Sequence, residues 1–434
     1  MAKAIFEVEK EVFETRALLW AQQFEQVCFL QSNGYSDAYS ALESILAVDA
    51  RDTFTAMAGH AFMDLEDFKA RYPKQWVLGF FGYDLKNEIE RLHTSFDNPL
   101  DFPDAYFFVP KIVFKFYGDR VEIDAPSPME IYHQVMVMDN TCALPEQHCS
   151  PFSPIVLRKR MSKVAYFEAF AKMQHHIKRG DIYEVNLCQE FYAEKANIDP
   201  LATYRKLNLL SPTPFSTFFK LGDKYILSAS PERFLAKRDQ TLISQPIKGT
   251  APRGKTIEED ERMKHTLQTN PKEIAENVMI VDLVRNDMTL SAQPGTVAAE
   301  RKLEVHSFKQ VHQLISTITC TQKNGLSPIA AIKNIFPPGS MTGAPKIRAM
   351  ELCDNVELSR RGVYAGAVGY FAPNEDFDFN VVIRTLLYNK TRQYLSFHTG
   401  GALTFDAVAE DEYNECILKA SAITSVLGAS LDDA

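Results

Sequence analysis

The sequence lacks the features that mark several large classes of protein. No stretch approaches the ~20 apolar residues a membrane helix needs, and Met1 to Glu7 holds no apolar run of signal-peptide length. These absences predict a cytoplasmic protein with no membrane partner. Positive charge is not in excess: 47 Lys and Arg stand against 56 Asp and Glu, a net charge of -9. Nucleic acid, whose affinity comes from neutralising phosphates with Lys and Arg, is disfavoured as a partner. A small acidic substrate remains open, because a local basic pocket can sit in an acidic protein. The cysteines at 28, 142, 149, 188, 320, 353 and 416 form no CxxC pair. Their odd number and wide spacing predict reduced, mostly buried thiols. No His/Cys cluster is spaced for zinc. No cysteine sits in the nucleophile elbow of a glutaminase domain.

What is present is enough chain for a large core: 434 residues, 46% of them apolar. That length corresponds to two to four domains at roughly 100–200 residues each. One seam stands out from Ala143 to Lys163, where Pro145, Pro151 and Pro154 precede the basic stretch Arg158 to Arg160. Prolines at this density suit an exposed connection. The seam divides the chain into an N-terminal segment, 1–150, and a longer C-terminal segment, 151–434.

Trp76 to Asp84 and Phe107 to Phe116 read as buried strands. Lys163 to Arg179 reads as an amphipathic helix, with Val164, Phe167, Phe170 and Met173 at helical spacing and Gly180 to end it. Strands are expected to dominate from Tyr183 to Phe234. Asn270-Pro271 supplies a cap and an N1 proline for a helix over Pro271 to Asp287. Tyr364 to Phe371, Val381 to Tyr388 and Tyr394 to His398 look like strands, and Glu410 to Leu427 like a closing helix. Strands joined by hairpins, with helices between, give an α+β fold rather than a parallel array.

Two helices carry glutamates at i, i+3 spacing: Glu273 with Glu276, and Glu412 with Glu415. That spacing puts each pair on one helix face. A solvated acidic face is the ordinary reason for such pairs. The run after Glu276, Asn277 to Val284, is apolar over most of its circumference and predicts a largely buried helix. A buried carboxylate needs a cation or a hydrogen-bond partner. Magnesium suits carboxylates from two helices, since it takes one or two, keeps several waters and leaves room for an anionic substrate.

These residues resemble a known family. Ser230-Pro231-Glu232-Arg233-Phe234, Pro246-Ile247-Lys248-Gly249-Thr250, Ala275 to Asp287, Gly339 to Lys346, Ile383-Arg384-Thr385 and Glu412 to Glu415 are similar to the signature segments of the chorismate-utilising enzymes. The resemblance covers residues 163 to 427 and extends more weakly to Gly79–Asp84. It implies two stacked antiparallel β-sheets flanked by helices, the N-terminal segment adding strands and residues 151–434 holding the catalytic region. It implies Glu276 and Glu415 as direct ligands of Mg2+, with Glu273 and Glu412 acting through water. The ion would hold the ring carboxylate of chorismate, with Lys419 nearby. The substrate is a dianion and needs a second anion site. Arg384 suits the enolpyruvyl carboxylate, because a guanidinium grips a carboxylate with two parallel hydrogen bonds. Tyr364 resembles a family tyrosine on the same group. Gly249, Thr250, Thr342, Gly400 and Gly401 are small residues where backbone amides can approach the substrate.

Within the family, Lys248 resembles the aminodeoxychorismate synthase component I branch. Anthranilate synthase component I, the alternative, usually carries alanine there. The branch implies conversion of chorismate and ammonia to 4-amino-4-deoxychorismate, for 4-aminobenzoate and folate biosynthesis. It implies ammonia from glutamine through a separate glutamine amidotransferase subunit, and a further enzyme for 4-aminobenzoate. A desolvated Lys248 is expected to have a lowered pKa and to act as nucleophile, with Glu232 as general acid. Isochorismate and salicylate synthases place lysine at the position of Glu184, to activate water. Aminating members often have glutamine there, and the effect of the Glu184 charge stays open. Anthranilate synthases have histidine at the position of Gln313, and the neighbouring His312 leaves open a shift of one residue. Leu42-Glu43-Ser44 is similar to a segment that binds tryptophan in related proteins.

Overall fold

Aromatic and β-branched residues dominate the strand Ala105–Tyr117, which is buried on both faces over most of its length. It pairs along that length with Ser44–Ala56, with a register shift between Ala50 and Asp52. Its other edge changes partner: Ala105 to Phe108 face the strand Val77–Phe81, and Val113 to Tyr117 face Arg120–Ala125. This long ribbon is therefore shared by two sheets. The computed structural model describes residues 2–139 and 155–432. Pro145, Pro151 and Pro154 of the seam, with Cys142 and Cys149, lie outside the described residues.

One sheet runs from the ribbon through Gln26–Gln31, Phe215–Leu221, Lys224–Ser230, Thr385–Asn389 and Tyr394–Leu403 to Glu184–Ala193. The other runs through Val77–Phe81, Ala367–Phe371, Phe377–Val381, Arg233–Arg238 and Thr241–Gln245 to Val311–Thr321. These pairings are all antiparallel. Phe80, Tyr106, Phe108, Phe219, Ile226, Val368 and Leu387 fill the space between the sheets. Each such side chain contributes about 1.5–3 kcal/mol by leaving water. The helices Ala61–Ala70, Pro271–Thr289 and Pro328–Ile335 cover the outer face of the second sheet. Lys10–Ala21, Pro128–Met136, Pro200–Leu210 and Ala409–Leu427 cover the outer face of the first. The fold is α+β, as expected, and strands from residues before 139 pair with strands of the later chain in both sheets.

Several expected boundaries move. The helix Lys163–Arg179 has the expected ends, with Ser162 capping it and Gly180 in the left-handed conformation. The stretch Tyr183 to Phe234 is interrupted by the helix Pro200–Leu210, which Asp199 caps and Pro200 opens. Val381 to Tyr388 is not one strand: Phe377–Val381 ends in one sheet and Thr385–Asn389 begins in the other. The helix Pro271–Thr289 is not buried all round. Ile280, Val281 and Val284 pack inward, whereas Val278 is half exposed. One face suffices to hold a surface helix.

The crossings between sheets matter most. Ser230 to Arg233 leaves the first sheet for the second, and Val381 to Thr385 returns from the second to the first. The two crossings are tied by Val381 N–H to Glu232 O at 3.0 Å and Ala229 N–H to Arg384 O at 3.1 Å.

Candidate active site

Glu232 and Arg384 sit at those two crossings, where no continuous strand covers them. Glu232 is buried, and desolvation pushes its carboxyl up to about 7 against the pull of Ser340, Lys248 and Arg384. Arg384 holds φ at +51°, a conformation that costs a non-glycine residue of order 1–3 kcal/mol. Burial pulls its pKa down, and Glu232 is the one charge that offsets this. Among the described residues its guanidinium has no ion pair. A half-buried guanidinium in that state is suited to a carboxylate.

Lys248 lies on the strand Ile247–Pro252, which Asn277 stitches to the helix Pro271–Thr289 by donating to Lys248 O at 3.3 Å. Ser316 holds Asn277 by a 2.6 Å hydrogen bond to its side-chain oxygen. The Lys248 ammonium donates to Glu184 Oε1 at 2.6 Å, and the side chains are 11% and 6% exposed. Desolvation alone would lower its pKa, as the sequence led us to expect. Glu184 outweighs that, with help from Glu276 and Glu232, and the pKa is raised instead. The expected lowering is corrected: the ion pair with Glu184 shifts the Lys248 pKa upward.

The paired glutamates occupy facing helices. Asn270 accepts from Lys272 N–H and Glu273 N–H at 2.9 and 3.4 Å, which fixes the first turn, where Glu273 lies, with Glu276 one turn on. Glu412 lies in the first turn of Ala409–Leu427, with Glu415 one turn on. Desolvation raises Glu273 and Glu276, and Glu415 adds to the rise at Glu273. Desolvation, then Glu415, pushes Glu412 up to about 7. Burial raises Glu415 too, but Lys419 at 2.6 Å outweighs it and leaves the pKa lowered. Lys272 stands 3.9 Å from Glu276. Among the described residues no three acidic, His or Cys side chains converge as a ready metal cage. The donors present still fit magnesium: hard carboxylate oxygens on two helices, in mutual repulsion, with Mg2+ needing only one or two of them beside water.

The small residues serve this cluster. A Cβ on Gly401 would meet Glu412 Oε2 at 2.6 Å, and one on Gly249 would meet Glu273 Oε2 at 2.9 Å. Gly249 also has φ at +94°, which favours glycine. Gly400 packs against Cys188, 2.7 Å from such a Cβ, and its carbonyl accepts from Lys419 at 2.8 Å. Thr342 is buried, and its hydroxyl donates to Gly339 O at 2.9 Å. Thr250 is exposed and pairs with Gln313. Tyr364 is deeply buried, its hydroxyl 3.6 Å from Cys188 Sγ and its ring stacked on His398 at 4.9 Å. Thr250 and Tyr364 thus make no hydrogen bond to the charged cluster.

Strand alternation settles the His312 question. His312 turns to Asp260 and Ser307, at 2.9 Å each, so it does not replace the side chain of Gln313. The sequence reading missed Asn277, Ser340 and Lys272. Leu42, Glu43 and Ser44 line a separate cavity of about 140 Å³ with Asp37 and Arg233. No helix among the described residues is long and apolar enough to cross a membrane.

Comparison with known proteins agrees with this geometry. The family profile described as chorismate binding enzyme matches residues 16–425. A probable chloroplastic aminodeoxychorismate synthase of Oryza sativa subsp. japonica is 42% identical over 269 residues, 61% of this chain and 30% of that protein. The chain spans about a third of the length of the first curated relatives it matches. Aminodeoxychorismate synthase component 1 of Klebsiella aerogenes is 35% identical over 347 residues, 80% of this chain and 76% of that one. The solved anthranilate synthase component I of Streptococcus pneumoniae superposes with a TM-score of 0.75 at 25% identity, covering 90% of this chain and 94% of its own.

Proposed function

The chain belongs to the chorismate binding enzyme family, and from that premise we propose that it converts chorismate and ammonia to 4-amino-4-deoxychorismate. The ammonia comes from glutamine through a separate amidotransferase subunit. The observation that carries the reading is a shielded lysine amine, Lys248, whose charge acts on the protonatable Glu232.

Arg384 binds the enolpyruvyl carboxylate, which supplies the anion its guanidinium lacks. Glu276 and Glu415 would hold magnesium, with Glu273 and Glu412 beside them. Bound there, the ion supplies positive charge to the ring carboxylate. Lys248, once deprotonated, attacks C2 as the C4–O bond breaks. Glu232, neutral up to about pH 7, gives its proton to the departing hydroxyl, which leaves as water. Ammonia then forms a bond to C4 and the C2–N bond to Lys248 breaks. The two allylic displacements leave the new amine at C4.

One observation favours a second reading. A lysine held as an ammonium by Glu184 is not a nucleophile at rest, and direct attack of ammonia at C2 would lead toward anthranilate. Purified protein supplied with chorismate, magnesium and ammonium distinguishes them. The expected main product is 4-amino-4-deoxychorismate; fluorescent anthranilate as the main product would sink the first reading.

A further inference from the structure

We propose that Glu184 is a positioning residue for Lys248, keeping it charged and aimed in the resting cleft and taking its proton at the start of each turnover. The proposal rests on the reading of Lys248 as nucleophile and deepens it.

Glu184 is held firmly. Ala344 pairs with it directly, and Gly343 pairs with Val185. Tyr183 N–H donates to Ala344 O at 2.6 Å and Asn186 N–H to Thr342 O at 2.8 Å. A Cβ on Gly343 would come within 2.9 Å of Val185 Cα and 2.8 Å of Ala349 Cβ, so the two segments touch at backbone distance. The Glu184 side chain is therefore fixed from a rigid base, and the one hydrogen bond described for it is to Lys248. The strand carrying Lys248 is fixed in turn by Asn277.

Other charges act on Lys248 from the elements around it. Glu232 approaches from the sheet crossing, Glu273 and Glu276 from the helix Pro271–Thr289, and Glu415 from the helix Ala409–Leu427. Of these groups, only Glu184 lies within hydrogen-bond distance of the ammonium. An amine must lose a proton before it can attack carbon, and Glu184 is the acceptor in reach. One N–H proton passes from Lys248 to the Glu184 carboxylate, freeing the lone pair. That pair forms the N–C2 bond, the ring double bond shifts, and the C4–O pair leaves on oxygen with the proton of Glu232. When ammonia later displaces the lysine from C2, the C2–N pair returns to nitrogen and Glu184 gives the proton back. Glu232 is reprotonated from solvent.

Competitive acetylation of the full chain by trace acetic anhydride, read by mass spectrometry, tests this without relying on the product. The exposed Lys302 serves as internal reference. In E184Q the amine keeps its desolvation and loses its counter-charge, so Lys248 at pH 8 should label about tenfold faster than in the unaltered protein, one pKa unit. Glutamine cannot take the proton, so kcat for amination should fall about tenfold or more while KM for chorismate stays within about twofold. E184D, which keeps the charge, should restore slow labelling and part of the rate. Equal labelling of Lys248 in E184Q and the unaltered protein would overturn the proposal, as would a kcat that rises with labelling. If labelling differs as expected but the product is the ortho isomer, the ion pair stands and the proton transfer falls with the nucleophilic reading.

Discussion

Arg361 is buried and Arg384 partly so, and their surroundings are opposite. Arg361 donates to both carboxylate oxygens of Glu357, at 2.6 and 2.9 Å, and to the carbonyls of Met341 and Asn186, at 2.7 and 2.9 Å. It also stacks over the Tyr83 ring. Arg360 is likewise matched by Asp84 and Asp104, and Arg233 by Asp37 and Asp378. Arg384 has no ion pair among the described residues and sits in strained backbone. The same contrast holds among carboxylates. Glu357 is saturated by Arg361, whereas Glu273, Glu276 and Glu412 are raised by burial and by neighbouring glutamates, Glu415 among them. Matched buried charges join elements of the fold together. Unmatched ones, gathered where two strands change sheets, mark the place that a charged ligand completes.

The comparison can be broken at either end. The largest effect is expected from removing divalent cations: excess chelator should abolish turnover and added magnesium should restore it, and full activity in chelator would remove the glutamates from the account. Glu232→Gln should lower kcat about 10²–10⁴-fold with little change in substrate affinity. In the unaltered protein the rate should fall as pH rises through about 7, because burial keeps the Glu232 proton only up to there. The variant should lack that limb of the pH–rate profile. Arg361→Ala should destabilise the chain by about 3–5 kcal/mol in denaturant unfolding, since it strands the buried Glu357. Arg384→Ala should leave stability near that of the unaltered protein and weaken chorismate binding by about 1.5–3 kcal/mol; equal destabilisation by both would erase the distinction. The smallest effect is expected at Gly249→Ala, which should cost about 1–2 kcal/mol in thermal unfolding for its left-handed backbone, with an added loss of activity from crowding Glu273.

The sequence carried the local elements well where caps were written into it. Ser162 and Gly180 bound one helix, and Asn270-Pro271 opens another. It did not carry the sheet crossings, because Val381 to Tyr388 reads as one strand and Ser230 to Arg233 lies in a stretch where strands dominate; what separates them is long-range pairing with different neighbours. The spacing of Glu273 with Glu276, and of Glu412 with Glu415, was legible as two helix faces, but not that Gly249 and Gly401 make room for them. The direction of the Lys248 pKa shift was misread from desolvation alone. Its partner Glu184 lies far along the chain, and no pattern in one sequence announces a pair closed only by the fold.

The central claim is that Lys248 forms a bond to the substrate. The direct measurement is intact-protein and peptide mass spectrometry after mixing the protein with chorismate and magnesium in the absence of ammonia and glutamine. The account predicts an adduct of chorismate less one water on Lys248, discharged when ammonium is added and absent in Lys248→Ala. Formation of 4-amino-4-deoxychorismate at an undiminished rate by Lys248→Ala, with no adduct in the unaltered protein, would contradict it.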